Sequence, residues 1–372
     1  MAFKTRDAVL AYQESKTDSE THMEDLDVVD PISAITLEVT CTNGATSNKG
    51  NFISDIVSKV EVVDGSDTLV SLSGAQLQAL EFYKTKQLPC VFPSEWGSGS
   101  QREQFNILFG RYLWDKEYAL NPARFRKPQL KITFNKAAIR AAGATGFASG
   151  TNIYLTIVVK LIEEGARASA YFMQKQIRSW TTSSSGDEQV PLPVDYPYRL
   201  AMIRGWLSGY DINEIFSDVK ITCDKDKFIP LNRNVQQLDA EAIRLFGLCH
   251  YKHDALVYNN AEVRVIPNKE PEYLAKIRNP AVPRVIVPYA QWSSIIYTQL
   301  YDMDGALDGT ERQATGVVWG HAPHATLCIP FGLMDDPTTW FNAPSYGDID
   351  LVLTQATASG AASVVLEQIR PN

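Results

Sequence analysis

Five histidines, at positions 22, 250, 253, 321 and 324, are the residues of this sequence most suited to holding a metal. Cys249-His250-Tyr251-Lys252-His253 and His321-Ala322-Pro323-His324 each resemble half of a zinc site. A structural zinc needs four such ligands in a tetrahedral array, and the two pieces lie about 70 residues apart. Ordinary surface or core histidines are the plainer reading. Asp302, Asp304 and Asp308, followed by Glu311, offer oxygen atoms at short spacing and are candidate Ca²⁺ ligands. Gly305 comes too early for the EF-hand order, and no flanking helices are predicted, so an Asp-Gly turn explains the same residues.

Asp335-Asp336 could serve as an acid–base pair, but adjacent residues on a loop point apart. No GxSxG elbow, Walker A loop or GxGxxG loop is present, and Gly97-Ser98-Gly99 reads as a flexible tract. Nothing meets the geometric demands of an active site, so no catalytic residue, no cofactor and no enzymatic activity are expected. Trp96, Trp114, Trp206, Trp292, Trp319 and Trp340 could build a carbohydrate platform. Most of them fall in alternating or repeated segments, where core or subunit contact is the expected use. The cysteines, Cys41, Cys90, Cys223, Cys249 and Cys328, are odd in number, far apart and free of CxxC pairs. Buried free thiols are expected.

The elements that must position these residues follow from the rest of the sequence. At 372 residues and 45% hydrophobic content, the chain is too long for one ordinary core, so two domains are expected. The net charge of −8 is concentrated in residues 13–30, where Glu14, Asp18, Glu20, Glu24, Asp25, Asp27 and Asp30 face Lys16 alone. The remainder is nearly neutral, and no direct nucleic-acid binding is expected of it. No apolar run approaches the roughly 18 residues of a transmembrane helix. Met1–Asp7 lacks the apolar stretch of a signal peptide, so synthesis in a cytosol is expected.

Residues 1–12, with Phe3, Val9, Leu10 and Tyr12, fit a short amphipathic helix, and the acidic residues 13–30 a flexible arm. From Pro31 onward the pattern is that of strands. Ile35, Leu37 and Val39 alternate with polar residues, as do Val60 and Val62, and Leu130, Ile132 and Phe134. Ile153, Leu155, Ile157, Val159 and Leu161 form the longest alternating row. Two helices are predicted, Ala75 to Lys84 with Leu77, Leu80 and Tyr83 inward, and Val235 to Phe246 with Leu238, Ala242 and Leu245 inward before a Gly247 stop. Many short strands with Gly, Pro and Asn turns argue for sandwiches or barrels.

The second half repeats the first. Residues 60–72 align without gaps on 219–231, each a strand, an acidic turn and a strand, and each is followed by one of the helices. Phe109-Gly110 precedes Asp115, Asn121-Pro122 and the strand Gln129–Phe134. Phe331-Gly332 precedes Asp335, Asn342-Ala343-Pro344 and the strand Asp348–Leu353. An Ala-, Gly- and Ser-rich loop follows each, 135–152 (with Ala141-Ala142-Gly143-Ala144) and 354–362, and then a last strand. Two copies of about 140–180 residues mean two similar domains. The expected division is an N-terminal arm 1–30, a first domain 31–165, a linker 166–192 and a second domain 193–372 with larger loops between its helix and Phe331.

This order of strand pair, helix, Phe-Gly segment, Asn-Pro turn and closing strands resembles the double jelly-roll major capsid proteins of tailless icosahedral viruses, the lineage of the adenovirus hexon and of several membrane-containing bacteriophages. Phe109-Gly110-Arg111-Tyr112-Leu113-Trp114-Asp115 with Asn121-Pro122 and Gln129-Leu130-Lys131-Ile132 carries the resemblance, which covers about 31–371. It implies an all-β fold of two tandem eight-stranded jelly-roll β-sandwiches with a short helix in each. It also implies a homotrimer acting as a pseudo-hexagonal capsomer of a capsid lattice, contacts with other virion proteins, and location in the virion after synthesis in the host cytoplasm. Residues 1–12, carrying Lys4 and Arg6, would face an internal membrane or neighbouring capsomers. A β-sandwich receptor- or glycan-binding spike and a double-jelly-roll glycan hydrolase are the alternatives. A spike would more often bring a fibrous stalk, and a hydrolase needs convergent acidic residues in a cleft.

Overall fold

The structure is a computed structural model that describes residues 3–139, 145–279 and 283–372. The first lobe begins with β1 (Lys4–Lys16), β2 (Ser19–Asp25) and β3 (Ile32–Thr42). A one-turn helix α1 (Ile53–Ile56) leads into β4 (Val57–Asp64), β5 (Asp67–Leu72) and helix α2 (Gly74–Thr85). Then come β6 (Val91–Phe92), β7 (Ser100–Leu108), β8 (Pro128–Asn135), the short α3 (Lys136–Ile139) and β9 (Ile153–Glu164). One sheet runs β1-β9-β3-β7-β6, and the strands β2-β8-β4-β5 form its partner. The rows Ile35/Leu37/Val39, Leu130/Ile132/Phe134 and Ile153 to Leu161 are buried between the two sheets, as their alternation requires.

The second lobe repeats this order. It has β10 (Ala170–Thr181), β11 (Asp187–Pro191), β12 (Tyr198–Trp206), α4 (Ile212–Ile215), β13 (Phe216–Cys223), β14 (Phe228–Asn234) and α5 (Val235–Phe246). An insertion follows: β15 (Cys249–Val257), β16 (Ala261–Arg264), β17 (Pro267–Ile277), β18 (Val285–Trp292), β19 (Ile295–Tyr301) and β20 (Arg312–Pro323). The lobe closes with β21 (Thr326–Pro330), β22 (Ile349–Gln355) and β23 (Ala361–Pro371). The order β10-β23-β12-β21 matches β1-β9-β3-β7, and β11-β22-β13-β14 matches β2-β8-β4-β5. Each lobe is therefore an eight-stranded jelly roll, and the fold is a double jelly roll. The matched segments 60–72 and 219–231 are β4-β5 and β13-β14 in equivalent places.

The two lobes share a sheet. β5 pairs in parallel with β10, through Gln174 opposite Val70 and Lys175 opposite Ser71. This joins four strands of each lobe into the continuous order β2-β8-β4-β5-β10-β23-β12-β21. A single hydrophobic core runs through both lobes. The register places both ends of the chain together, because Lys4 pairs with Glu164 and Ala170 with Pro371. The insertion rises from the opposite end, where Trp206 pairs with Ala361 and Cys41 with Ile153. It forms the sheets β15-β20-β17 and β16-β19-β18 around a smaller core, which takes in Phe52 and Val91 of the first lobe.

Both predicted helices are present. Ser73 caps α2 through the Gln76 amide, and Lys86 ends it in the left-handed region at φ 62°. Asn234 caps α5 and Gly247 ends it at φ 79°. Its inward face is Leu238, Ala242 and Phe246, while Leu245 is 37% exposed, contrary to the expected inward set. The one-turn helices α1 and α4 repeat as well, with Asp55 and Glu214 each accepting a hydrogen bond from the amide three residues earlier.

Four expectations need correction. Residues 1–12 are not helical: from Lys4 on they belong to β1, which covers the free edge of β9 (residues 1 and 2 lie outside the described residues). Bulges between Val9 and Ala11 and between Ala11 and Glu14 break the two-residue period that would have marked a strand. Residues 13–30 are not a loose arm, since β2 pairs along β8. Its acidic side chains find cations there, Asp18 at Lys136 and Asp25 at Lys127. Residues 166–192, read as a linker, contain β10 and β11, which enter both sheets of the second lobe. Gly97-Ser98-Gly99 is closely packed too, since a Cβ at Gly97 would stand 2.3 Å from the Ala45 carbonyl oxygen. Of the two Ala-, Gly- and Ser-rich loops, Ala141-Ala142-Gly143-Ala144 lies outside the described residues.

Candidate functional site

The most constrained chemistry lies in the seam between the lobes. α2 of the first lobe packs there against β20 and β21 of the second and bonds side chains of β10 and β23. Lys84 is the basic residue in the last turn of α2. Its Nζ donates to Glu367 Oε2 at 2.9 Å and to the Leu108 carbonyl at 2.8 Å. Arg199 of β12 donates through Nη1 to Glu367 Oε1 at 2.6 Å and through Nε to the Met334 carbonyl at 2.8 Å. Gln174 of β10 donates to the same Glu367 Oε2 at 2.9 Å. None of the three charged side chains is more than 1% exposed. Burial alone would raise the Glu367 carboxyl, but Lys84 and Arg199 outweigh it and hold the group below its ordinary range.

Neutral contacts extend the seam. Gln76 donates to Gln176 at 2.6 Å and to Ser363 at 2.9 Å, and the Tyr83 hydroxyl donates to the Thr326 carbonyl at 2.6 Å. Tyr83 also meets Phe246 edge-on, which ties the two helices together. At the end that carries the termini, Tyr118, Phe172 and Trp340 form a separate aromatic cluster across the lobes. The arrangement locks two lobes into one rigid block and brings no nucleophile or general base to an open cleft.

The sequence landmarks fall beside this seam. Phe109 is fully buried, and Gly110 leaves no room for a Cβ, which would sit 2.6 Å from the Tyr118 carbonyl oxygen. Asp115 is buried and accepts from the Arg111 guanidinium and from the amides of Glu117 and Tyr118. Asn121 caps a 3-10 turn through the Ala123 amide. In the second copy, Phe331 is buried and Gly332, at φ 95°, leaves no room beside Thr339. Asn342 again opens a 3-10 turn. Asp335 does not repeat the part of Asp115: its side chain is exposed, and its carbonyl accepts from Arg111 of the first lobe at 3.2 Å. Asp336 instead closes its own turn onto Thr338.

The other candidates go to local structure. β15 pairs with β20, so Cys249 lies opposite Gly320 and the two histidine pieces become neighbours. Their side chains nevertheless diverge. His253 is buried 3.7 Å from Glu95, His321 sits 2.9 Å from Asp239, and His324 bonds Gln78 at 2.7 Å. Burial first, with Arg204 adding to it, pushes the His324 imidazole down to about 3. Asp302 Oδ1 accepts from the amides of Asp304 and Ala306, as an Asp-Gly turn demands. Asp308 is engaged by Arg284 at 2.7 Å and Arg312 at 3.4 Å. Among the described residues no cluster of three or more His, Cys, Asp or Glu side chains is arranged to hold a metal ion. The cysteines are free, and only Cys90 is partly exposed.

Lys84, Arg199, Gln174 and Glu367 are not among the residues that motif reasoning selects. A signal was present: Arg199 and Glu367 each interrupt a strongly apolar strand, Tyr198-Arg199-Leu200-Ala201-Met202-Ile203 and Val364-Val365-Leu366-Glu367-Gln368-Ile369.

Elsewhere the molecule presents apolar surface. On β18, Val285, Val287, Tyr289 and Trp292 are exposed, as are Leu274 of β17 and Leu333 near the termini. No helix among the described residues is long and apolar enough to cross a membrane.

No protein-family model matches the chain, and no curated protein matches it. Solved structures do match. The STIV MCP, from Sulfolobus Turreted Icosahedral Virus, is similar with a TM-score of 0.60 at 12% identity, over 98% of this chain and 96% of that one. PBCV-1 VP54, fitted into a reconstruction of the virophage Sputnik, matches with a TM-score of 0.58 at 10% identity, over 99% and 94% of the two chains. The major capsid protein P2 from bacteriophage PM2 matches with a TM-score of 0.55 at 10% identity, over 99% and 98%. At these identities the likeness is one of fold, and it extends from end to end of both chains.

Proposed function

We propose that this chain is the major capsid protein of an icosahedral virion. Three copies form a pseudo-hexagonal capsomer, and capsomers tile the shell. The observation that carries the reading is the shared sheet: two equivalent jelly rolls stand side by side, fused through β5 and β10 and pinned by the Lys84–Glu367–Arg199 seam. A rigid two-lobed block gives a trimer six similar lobes, the number a hexagonal layer needs. The whole-length likeness to proteins named as major capsid proteins supports the same reading.

In this account the end carrying both termini faces the virion interior, and the insertion faces out. The start of β1 approaches an internal membrane or neighbouring capsomers and other virion proteins. Synthesis takes place in the host cytoplasm, before assembly into the virion. The exposed apolar residues of β18 are then surface that neighbouring copies cover. The whole-length likeness favours the capsid reading over the spike and the glycan hydrolase. Negative-stain imaging of the purified chain tests the proposal: particles of hexagonal outline are expected, and dispersed two-lobed single particles at all concentrations would refute it.

A further inference from the structure

At the end opposite the termini, two cavities meet where the first lobe, the second lobe and the insertion converge. One, of about 620 Å³, is lined by Ser54 and Asp55 of α1, Arg204 and Trp206 of β12, and Arg264 of β16. The other, of about 350 Å³, carries Tyr258, Asn260, Ser293 and Ser294. Gly50, Trp206, Ser208 and Arg264 belong to both, so the two form one continuous depression.

Its two arginines are engaged differently. Arg264 is spent: its fork grips Asp55 at 2.6 and 3.2 Å, and Nη1 also donates to the Gly50 carbonyl. Arg204 is not. Its Nε donates to the His324 carbonyl at 3.0 Å, and neither terminal nitrogen has an acceptor among the described residues. Of the carboxylates that line the depression, Asp55 is taken up by Arg264 and Glu262 stands in the smaller cavity, so among the described residues Arg204 enters no ion pair. Burial pushes the Arg204 guanidinium down to about 10, with Asp55 opposing the shift and Arg264 adding to it. A second feature stands apart from charge. Ser54 is 3% exposed, lines the same cavity, and its Oγ has no hydrogen-bond partner. The orphaned Ser54 hydroxyl thus lines the same cavity as a guanidinium whose terminal nitrogens have no protein acceptor, and an oxyanion accepting from both would relieve the hydroxyl.

The aromatic wall decides which oxyanion. Trp206 lines both cavities, with the Arg264 guanidinium carbon 5.3 Å from its ring centroid. Tyr258, in the smaller cavity, lies under Lys49 at 4.5 Å. A bare phosphate needs no such wall. A sugar ring does: one apolar face for an indole, hydroxyls for Asn260 and Ser294, and an acidic substituent for Arg204. We propose that this depression binds an acidic saccharide, with its carboxylate or sulfate on Arg204 and Ser54 and its ring against Trp206. Every residue involved belongs to a single chain, so the proposal does not depend on the capsid reading.

The test is titration of the full-length protein with sialyllactose, a glucuronic-acid-terminated disaccharide and a sulfated galactoside, each beside its neutral parent, and with inorganic phosphate. At least one acidic sugar is expected to bind ten-fold or more tightly than its neutral parent. Arg204→Gln and Trp206→Ala should each weaken that binding ten-fold or more. Ser54→Ala removes a hydroxyl that bonds nothing, so it should leave the melting temperature unchanged and weaken binding two- to five-fold. This variant decides the matter if the other two fail to fold. Equal binding of acidic and neutral sugars, no binding of any, or affinity indifferent to Ser54→Ala would overturn the proposal. Phosphate binding as tightly as the best sugar, and unaffected by Trp206→Ala, would overturn the saccharide assignment.

Discussion

Lys84 of the first lobe and Glu367 of the second meet at 2.9 Å with their side chains 1% and 0% exposed. Arg199 closes on the other oxygen of the same carboxylate at 2.6 Å. One anion thus serves two cations inside the joint that makes two jelly rolls a single block.

Removing that anion leaves both cations buried and uncompensated. Glu367→Gln is expected to destabilise the chain by about 3–5 kcal/mol. Glu61→Gln, in the solvent-accessible Lys59–Glu61 pair, should cost about 1 kcal/mol or less. Urea denaturation of the two variants makes the comparison, and equal losses would contradict the role given to the seam.

Glu81 on α2 gives a pH signature. Burial raises its carboxyl to about 7, against the 4.5 of a free side chain, even though Asn106 donates to both oxygens and opposes the shift. Between these values the folded state binds more protons than the unfolded one, so the contribution of this residue is complete below 4.5 and is lost as pH rises through 7. Glu81→Gln should therefore gain on the wild type between pH 5 and pH 8 by on the order of 1–3 kcal/mol. Urea midpoints at the two pH values measure the gain; a constant difference would argue against a raised carboxyl.

The repeated glycines should be intolerant for steric reasons. A Cβ at Gly332 would lie 2.3 Å from the Thr339 carbonyl oxygen at φ 95°, and one at Gly110 would lie 2.6 Å from that of Tyr118. Alanine at either is expected to cost about 1–3 kcal/mol or more. At Gly65, φ is 61° and nothing lies within 4 Å, so alanine there carries only the backbone penalty of about 1 kcal/mol. Thermal melting of the three variants ranks them.

The insertion is anchored by Phe52, which leaves the first lobe to join the insertion's core. Phe52→Ala should cost about 3–5 kcal/mol of local packing. Hydrogen exchange is expected to quicken in β15–β20 while β3, β7 and β9 stay protected. Uniform quickening would mean that the insertion and the lobes unfold as one.

Much of this architecture can be read in the sequence because the jelly-roll strands bury one face each, and one buried face writes a two-residue period. The rows in β3, β8 and β9 are of this kind. The repeat is legible for a related reason: equivalent turns and close approaches demand the same residues, Phe-Gly and Asn before a 3-10 turn, in both halves. β1 is obscured by its bulges, and β2 by an acidic composition that makes sense only beside Lys127 and Lys136. The seam is illegible for a deeper reason. Lys84, Arg199 and Glu367 are separated by more than a hundred residues at each step, and no local pattern says that lone charges in separate elements will neutralise one another. The match of Asp335 to Asp115 shows the converse, a shared spacing whose side chains do different things.

The central claim is that this two-lobed block is built to associate in threes. Native mass spectrometry of the purified chain measures it directly. The account predicts a dominant species at three times the 41.4 kDa chain mass, persisting on dilution. A single species at 41.4 kDa across the concentration range would contradict it.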